Sequence, residues 1–252
     1  MAKVAIVTGA TGGIGRVFID RISKMDDIDE IWAVGRNEEK LNALKGAASK
    51  VRPVIMDLSS GKCDLLTDML QQEKSDVRIL VNNAGTGYFG TFDKMDPEEI
   101  RKLCNINCTA PAVLMSAVLP YMTKGARVIN ISSASSFQPN PYLAMYSSSK
   151  VFLQNLSRSV WYELKSRGIT VTSVCPGWVD TEMISGERNG RKINFVGMIK
   201  PEKVVDKALS DSAKGKDMSV PGLFAKYFRF YSKVTPTKLV MGQWAAIVRK
   251  HV

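Results

Sequence analysis

The feature that most constrains this chain lies at its start. An apolar, β-rich run, Lys3–Thr8, passes directly into Thr8-Gly9-Ala10-Thr11-Gly12-Gly13-Ile14-Gly15, and a helical pattern (Ile14, Val17, Phe18, Ile22) takes over at once. Glycines at 9, 13 and 15 let the backbone turn tightly, approach a pyrophosphate and bring the helix close to the strand. The helix N-terminus adds free N–H groups and the positive end of its dipole. A strand before and a helix after distinguish a phosphate loop from an isolated glycine cluster. The ordinary alternative is a tight strand-to-helix turn that binds nothing.

The same alternation continues along the chain. Strand-like runs are predicted at Ile31–Val34, Val51–Met56, Ile79–Val81, Arg127–Ile131 and Thr170–Val174. Helical patterns fall at Ile14–Lys24, Glu38–Lys45, Asp64–Gln72, Pro97–Met122, Tyr146–Ser166 and Pro201–Leu209. Asp96-Pro97 reads as an N-cap followed by proline at the first helical position. Continuous apolar strands between amphipathic helices imply an α/β fold: a doubly wound parallel sheet of about seven strands, covered on both faces. No repeat, low-complexity tract or linker divides residues 1–252, so one domain is expected.

Composition narrows the chemistry. The single histidine, His251, stands one residue from the C-terminus, which excludes most Ser-His-Asp triads, histidine zinc sites and histidine bases. Cys63, Cys104, Cys108 and Cys175 are too few and scattered for a disulfide framework, so a reducing cytoplasm is expected. Cys104 and Cys108 lie four apart with no further ligands at hand; small buried hydrophobes are the better reading than a metal pair. No apolar run approaches the ~18 residues of a membrane span. Because a strand begins at Val4, no secretory leader is expected. The net charge is +11, of which +7 falls between Lys214 and Val252, where Asp217 is the only acid. For most of these lysines a solvated surface is the preferred reading, and no nucleic-acid partner is expected.

Further motifs follow in order: Asn82-Asn83-Ala84-Gly85 after the fourth strand, Asn107 in the long helix, Ser133 after the fifth strand, Tyr146-Ser147-Ser148-Ser149-Lys150, and Pro176-Gly177 with Thr181. Together with Thr-Gly-x-x-x-Gly-x-Gly at Thr8–Gly15, they resemble the short-chain dehydrogenase/reductase family over residues 4–181. That resemblance implies a Rossmann-type fold, a nicotinamide dinucleotide, a carbonyl or alcohol substrate, and a homodimer or homotetramer packed through the two long helices.

Tyr146 and Lys150 lie four apart, on one side of one helix. A free phenol, with a pKa of about 10, is a poor acid/base near neutrality, and a nearby cation favours its ionised form. Tyr146 can then exchange a proton with a substrate oxygen. Ser133, just past a strand end, can hydrogen-bond the same oxygen. The resemblance gives Asn107 a water that relays protons between Lys150 and solvent. It also implies that Gly9, Thr11, Gly12, Gly13, Ile14 and Gly15 hold the pyrophosphate. Asp57 and Leu58 would take the adenine, Asn83, Ala84 and Gly85 the adenosine ribose, and Pro176, Gly177, Val179 and Thr181 the nicotinamide side. Singly, each has an ordinary reading: a turn hydroxyl for Ser133, a helix amide for Asn107, an N-cap for Asp57.

NAD sites usually carry Asp or Glu at the end of the second strand, for the ribose 2′-OH. Here Ala33-Val34-Gly35-Arg36-Asn37 offers no acid, and Arg36 is suited to fork onto a 2′-phosphate, so NADP(H) is expected over NAD(H). A helix-entry surface arginine is the alternative. Residues 180–200 are expected to form a substrate lid. Tyr88, Phe137, Pro139, Tyr142, Trp178 and Met183 suggest an apolar pocket, with Ser133, Tyr142, Tyr146 and Met183 touching a hydrophobic ketone, aldehyde or secondary alcohol. A carrier-protein 3-oxoacyl reductase and a non-catalytic NADP-binding redox sensor are the competing readings. Residues 222–252 form a basic, aromatic helical extension. It is expected to pack over the pocket or at a subunit contact, because one short amphipathic helix gives modest membrane affinity.

Overall fold

The computed structural model describes residues 1–182, 187–188, 191–192 and 195–249. Met183 and His251 lie outside them. Seven parallel strands form one sheet: β1 (Lys3–Thr8), β2 (Glu30–Gly35), β3 (Val51–Ile55), β4 (Asp76–Asn82), β5 (Arg127–Ile131), β6 (Thr170–Val174) and β9 (Met218–Ser219). Their order is β3-β2-β1-β4-β5-β6-β9. Strands β7 (Glu187–Arg188) and β8 (Arg191–Lys192) pair separately as a small antiparallel ribbon.

Side chains alternate between the two faces of a strand, and the core divides accordingly. Val4, Ile6, Trp32, Leu80, Val128 and Val171 bury one face against α3 (Asp64–Glu73), α5 (Ala110–Val118) and the end of α6 (Ala144–Leu164). Ala5, Val7, Ile31, Ile79 and Ile129 bury the other against α1 (Gly13–Ser23), α2 (Glu38–Ala47) and α7 (Pro201–Ala213). Two sheet faces buried in this way account for the continuous apolar strand sequences.

The expected long helix over 97–122 is interrupted. Asp96 caps α4 (Pro97–Cys104) by accepting from the Glu98 N–H at 2.7 Å. One π turn, Asn105–Thr109, then joins α4 to α5. Contrary to the expectation of no such run, the continuous helical stretch Pro97–Tyr121 is long and apolar enough to match a membrane span, a character that Glu98, Glu99, Arg101 and Lys102 in its first turns conceal. Ala110, Leu114, Met115 and Val118 are nevertheless packed in the core. Cys104, at the end of α4, and Cys108, in the π turn, are half-buried rather than buried.

Two helices follow the sheet, α8 (Leu223–Val234) and α9 (Thr237–Val248). Phe228 and Ala225 of α8 pack with Cys175, Met218 and Val220. Phe137, expected in the substrate pocket, joins this same cluster.

Candidate active site

The order of strands reverses between β1 and β4, and ligands of open α/β sheets bind beyond the carboxyl ends of strands at such a point. A cleft of about 850 Å³ opens there. Its lining includes Gly9, Thr11, Gly12, Gly13, Ile14, Arg36, Asp57, Leu58, Asn83, Ala84, Gly85, Ser133, Tyr146, Lys150, Pro176, Gly177, Val179 and Thr181. Gly15, Asn107 and Tyr142 are expected site residues that do not line it. Met183 falls outside the described residues.

Gly15 acts from behind the loop. A Cβ at this position would stand 2.1 Å from the Gly9 carbonyl oxygen, so the first turn of α1 can close on the loop only without a side chain. Gly9 has φ +61, and its own Cβ would meet the Ala84 backbone at 2.9 Å. No side chain caps α1, which leaves its N-terminal N–H groups directed at the cleft. The Thr8 hydroxyl accepts from the N–H of Asn83 and of Ala84, each at 3.0 Å, while the Asn83 amide donates to the Thr8 and Gly9 carbonyls at 3.1 and 3.0 Å. Asn83 thus holds the glycine loop in shape. The same face of the loop is where an anionic pyrophosphate fits.

At the far end of the cleft, Ser133 caps a short 3-10 turn by accepting from the Ser135 N–H at 3.1 Å. Its hydroxyl stands beside Tyr146. Burial pushes the Tyr146 phenol up, and the Ser133 hydroxyl partly offsets this. Lys150 is 4% exposed, donates from Nζ to the Ile131 carbonyl at 2.9 Å, and lies 5.6 Å from the centre of the Tyr146 ring. Burial lowers its ammonium to about 8. The lowered phenol that the sequence suggests therefore does not arise from burial or Ser133. It requires a cation close to the hydroxyl, a place that the ring of an oxidised nicotinamide suits.

Asn107 sits in the π turn, where irregular helix geometry often marks function. It clamps a loop: Nδ2 donates to the Thr86 carbonyl at 2.8 Å, Oδ1 accepts from the Thr86 N–H at 2.9 Å, and Nδ2 also reaches Ser149 Oγ at 3.0 Å. Beneath it, buried Asn82 donates to Asn130 and Asn130 to Ser157, each at 2.8 Å.

At the adenine end, Asp57 caps the turn Leu58–Ser60. The Ser59 N–H, at 2.9 Å, holds its carboxyl below the usual range, assisted by the charges of Arg36 and Lys102. Arg36 is exposed at the rim and forms no salt bridge among the described residues. Lys102, on α4, also lines this end; the sequence offers no means of separating it from the other solvated charges of that helix.

The segment expected to form a lid leaves and rejoins the fold at adjacent positions. Val179 and Ile199 form a bridge, with Asp180 N–H donating to Ile199 and Ile199 N–H to Trp178, both at 3.0 Å. Trp178 packs tilted on Phe195 and stacks with Trp244 at 6.2 Å, and the Trp244 indole N–H donates to the Pro141 carbonyl at 2.8 Å. The C-terminal extension thus contacts Trp178 and Pro141 through Trp244, a pairing that its apolar helical context does not reveal. Tyr142 has φ +66, and its carbonyl accepts from Gly90 N–H at 2.9 Å.

A family model described as short chain dehydrogenase matches residues 3–215. An orangutan (Pongo abelii) protein named inactive hydroxysteroid dehydrogenase-like protein 1 is 35% identical over 189 residues, covering 71% of this chain and 56% of that protein. A very-long-chain 3-oxoacyl-CoA reductase from Anas platyrhynchos is 33% identical over 191 residues, covering 71% and 60%. The chain thus spans less than two thirds of the length of these two curated relatives. A short-chain dehydrogenase from Sphingobium yanoikuyae, solved in complex with NADPH, superposes with TM-score 0.76 at 25% identity, covering 95% of each chain. With 213 of its 252 residues inside the family model, and with the glycine loop, Tyr146 and Lys150 around one cleft, the chain belongs to the short chain dehydrogenase family.

Proposed function

We propose that this protein is an NADP-dependent oxidoreductase acting on the carbonyl or secondary alcohol of a hydrophobic substrate, with Tyr146 as the acid/base. The observation that carries this reading is the single cleft in which an uncapped helix N-terminus faces Tyr146, Ser133 and Lys150. Gly9, Gly12, Gly13 and the N–H groups of α1 would hold the pyrophosphate, and Arg36 the 2′-phosphate. When bound, the nicotinamide supplies or accepts the hydride. In reduction, Ser133 donates a hydrogen bond to the substrate carbonyl and positions it. Tyr146 gives its proton to the carbonyl oxygen as the alcohol forms. Lys150, whose Nζ lies 5.6 Å from the centre of the phenol ring and which titrates at about 8, is still mostly cationic at neutral pH and stabilises the phenolate until it is reprotonated. Asn107 fixes Thr86 at the cleft wall. In the opposite direction, Tyr146 removes the alcohol proton.

Tyr88 lines the cleft, and Trp178, packed with Phe195 and Trp244, follows Gly177 of its lining; such surroundings favour an apolar substrate over a sugar phosphate. A second reading, reduction of a 3-oxoacyl thioester, is supported by the +11 charge and by the name of the Anas relative. A non-catalytic sensor would need no proton donor. Family likeness also favours a homodimer or homotetramer, with Val113 of α5 and Phe152 and Tyr162 of α6 exposed for it.

The test is NADPH-linked turnover on a panel of apolar ketones and one 3-oxoacyl thioester. Tyr146→Phe is expected to lower the rate on the best substrate by about 10²–10⁴-fold while NADPH binding stays within a few-fold. A phenylalanine variant with wild-type rate would remove Tyr146 from the chemistry. A wild-type protein that binds NADPH and turns over nothing would favour the sensor.

A further inference from the structure

The tail is packed on one side only. The inner face of α8 is committed: Ala225 and Phe228 join the Cys175 cluster, and Phe224 stacks on Phe228 beside Gly177 and Gly197. The outer face is exposed, and its one ring contact among the described residues is Tyr227 on Tyr231 of the same helix. Leu223, Tyr227, Phe230 and Val234, each between 62 and 82% exposed, recur at i, i+4, i+7 and i+11 and so form one stripe along the helix. Leu239 and Ile247 of α9 are also exposed. The sequence expectation of a packed tail therefore holds for the inner face alone.

The charges around this stripe decide what fits it. From Met218 to Arg249 the chain carries Lys226, Arg229, Lys233, Lys238 and Arg249 and no acidic residue. Lys226 and Lys233 are seven residues, two helical turns, apart and so flank the same edge of the stripe, where long stems can lie along apolar surface with the ammonium in an anionic layer. A second copy of the chain is a poor occupant. A two-fold contact would set this cationic patch against itself, with no carboxylate to interleave. A layer of anionic headgroups over hydrocarbon matches both features, since an apolar face seats at the acyl boundary and each nearby cation adds attraction to anionic lipid.

We propose that the outer face of α8, extended by the exposed side chains of α9, docks the protein on an anionic lipid bilayer. The helix is already held by its inner face, so docking orders no new segment. This does not depend on the catalytic reading.

The test is co-sedimentation of the full chain with vesicles of phosphatidylcholine containing about one third phosphatidylserine. Binding is expected at about 50 mM salt and should fall at least about tenfold by roughly 500 mM, with little binding to pure phosphatidylcholine. Leu223→Glu with Phe230→Glu should abolish binding, and Lys226→Glu with Lys233→Glu should weaken it, with melting temperature and mass in solution unchanged. Three results would overturn the proposal: no binding to anionic vesicles at low salt; undiminished binding by the Leu223/Phe230 variant; or a wild-type dimer that this variant dissociates, which would assign the face to a second copy.

Discussion

Burial acts in opposite senses on the two ionisable groups of the site. It raises the Tyr146 phenol and lowers the Lys150 ammonium to about 8. A phenol held protonated is a proton donor, so carbonyl reduction should proceed without loss through acid and neutral pH and decline on the alkaline side. Alcohol oxidation needs the phenolate and should rise with pH. Matching pH–rate profiles in the two directions would contradict the assignment of Tyr146 as the shared group. Arg36 gives a second prediction at this scale. Arg36→Asp should reduce NADPH preference over NADH by about ten- to a hundred-fold, since a hydrogen bond to a charged group contributes about 1.5–3 kcal/mol and the new carboxylate repels a 2′-phosphate. The ratio of kcat/KM for the two dinucleotides reads it directly. Residues whose identity is their chemistry, such as Tyr146, Lys150 and the loop glycines, are legible in the sequence. Asn83 is legible as a site residue but not as a clamp on Gly9, because nothing local to Asn83 says that β4 lies against β1. Trp244 is illegible for the same reason: its partner Trp178 is remote in the chain.

Among the elements, β9 is the shortest strand of the sheet, and one carboxylate fixes it. Asp211 of α7 is 2% exposed and pairs with Lys207, with Lys216 at 2.9 Å and with the Ser219 hydroxyl at 2.7 Å. Burial alone would raise this carboxyl, but the three donors outweigh it and hold it at about 2. A depressed carboxylate contributes stability above its unfolded pKa of about 3.9, and that contribution is lost as pH falls toward 2; its size is about 2 kcal/mol. Asp211→Asn should therefore destabilise the protein by roughly 1–3 kcal/mol at neutral pH. The difference from wild type should shrink between about pH 4 and pH 2. Denaturant melts that stay parallel across that range would exclude Asp211 as the anchor. Six strands and every core helix were foreseeable from apolar runs and 3.6-residue spacing. The π turn at Asn105–Thr109 was not, since one inserted residue leaves the apolar spacing nearly unchanged, and a two-residue strand such as Met218–Ser219 has no period to detect.

For the molecule as a whole, the cofactor cleft spans both halves of the sheet, so a ligand there couples them. NADPH at about a hundred times its dissociation constant should add about 2.7 kcal/mol to the stability of the native protein. For a chain of this size that corresponds to a rise in Tm of roughly 5–11 °C. Gly15→Ala should lose most of this increment, because its Cβ and the Gly9 carbonyl cannot share the loop. An equal shift in the variant would place the dinucleotide elsewhere. The bridge between Val179 and Ile199 has a different consequence. It makes the intervening segment a detachable module: both ends are anchored to the same two backbone positions, so its length and sequence can drift without pulling on Pro176 and Gly177 behind it. Doubling such a loop costs only about 0.6 kcal/mol in closure entropy. On the proposed reading of this segment as a substrate lid, variation inside that neck would open a route to new substrates in which the grip on the dinucleotide need never be rebuilt.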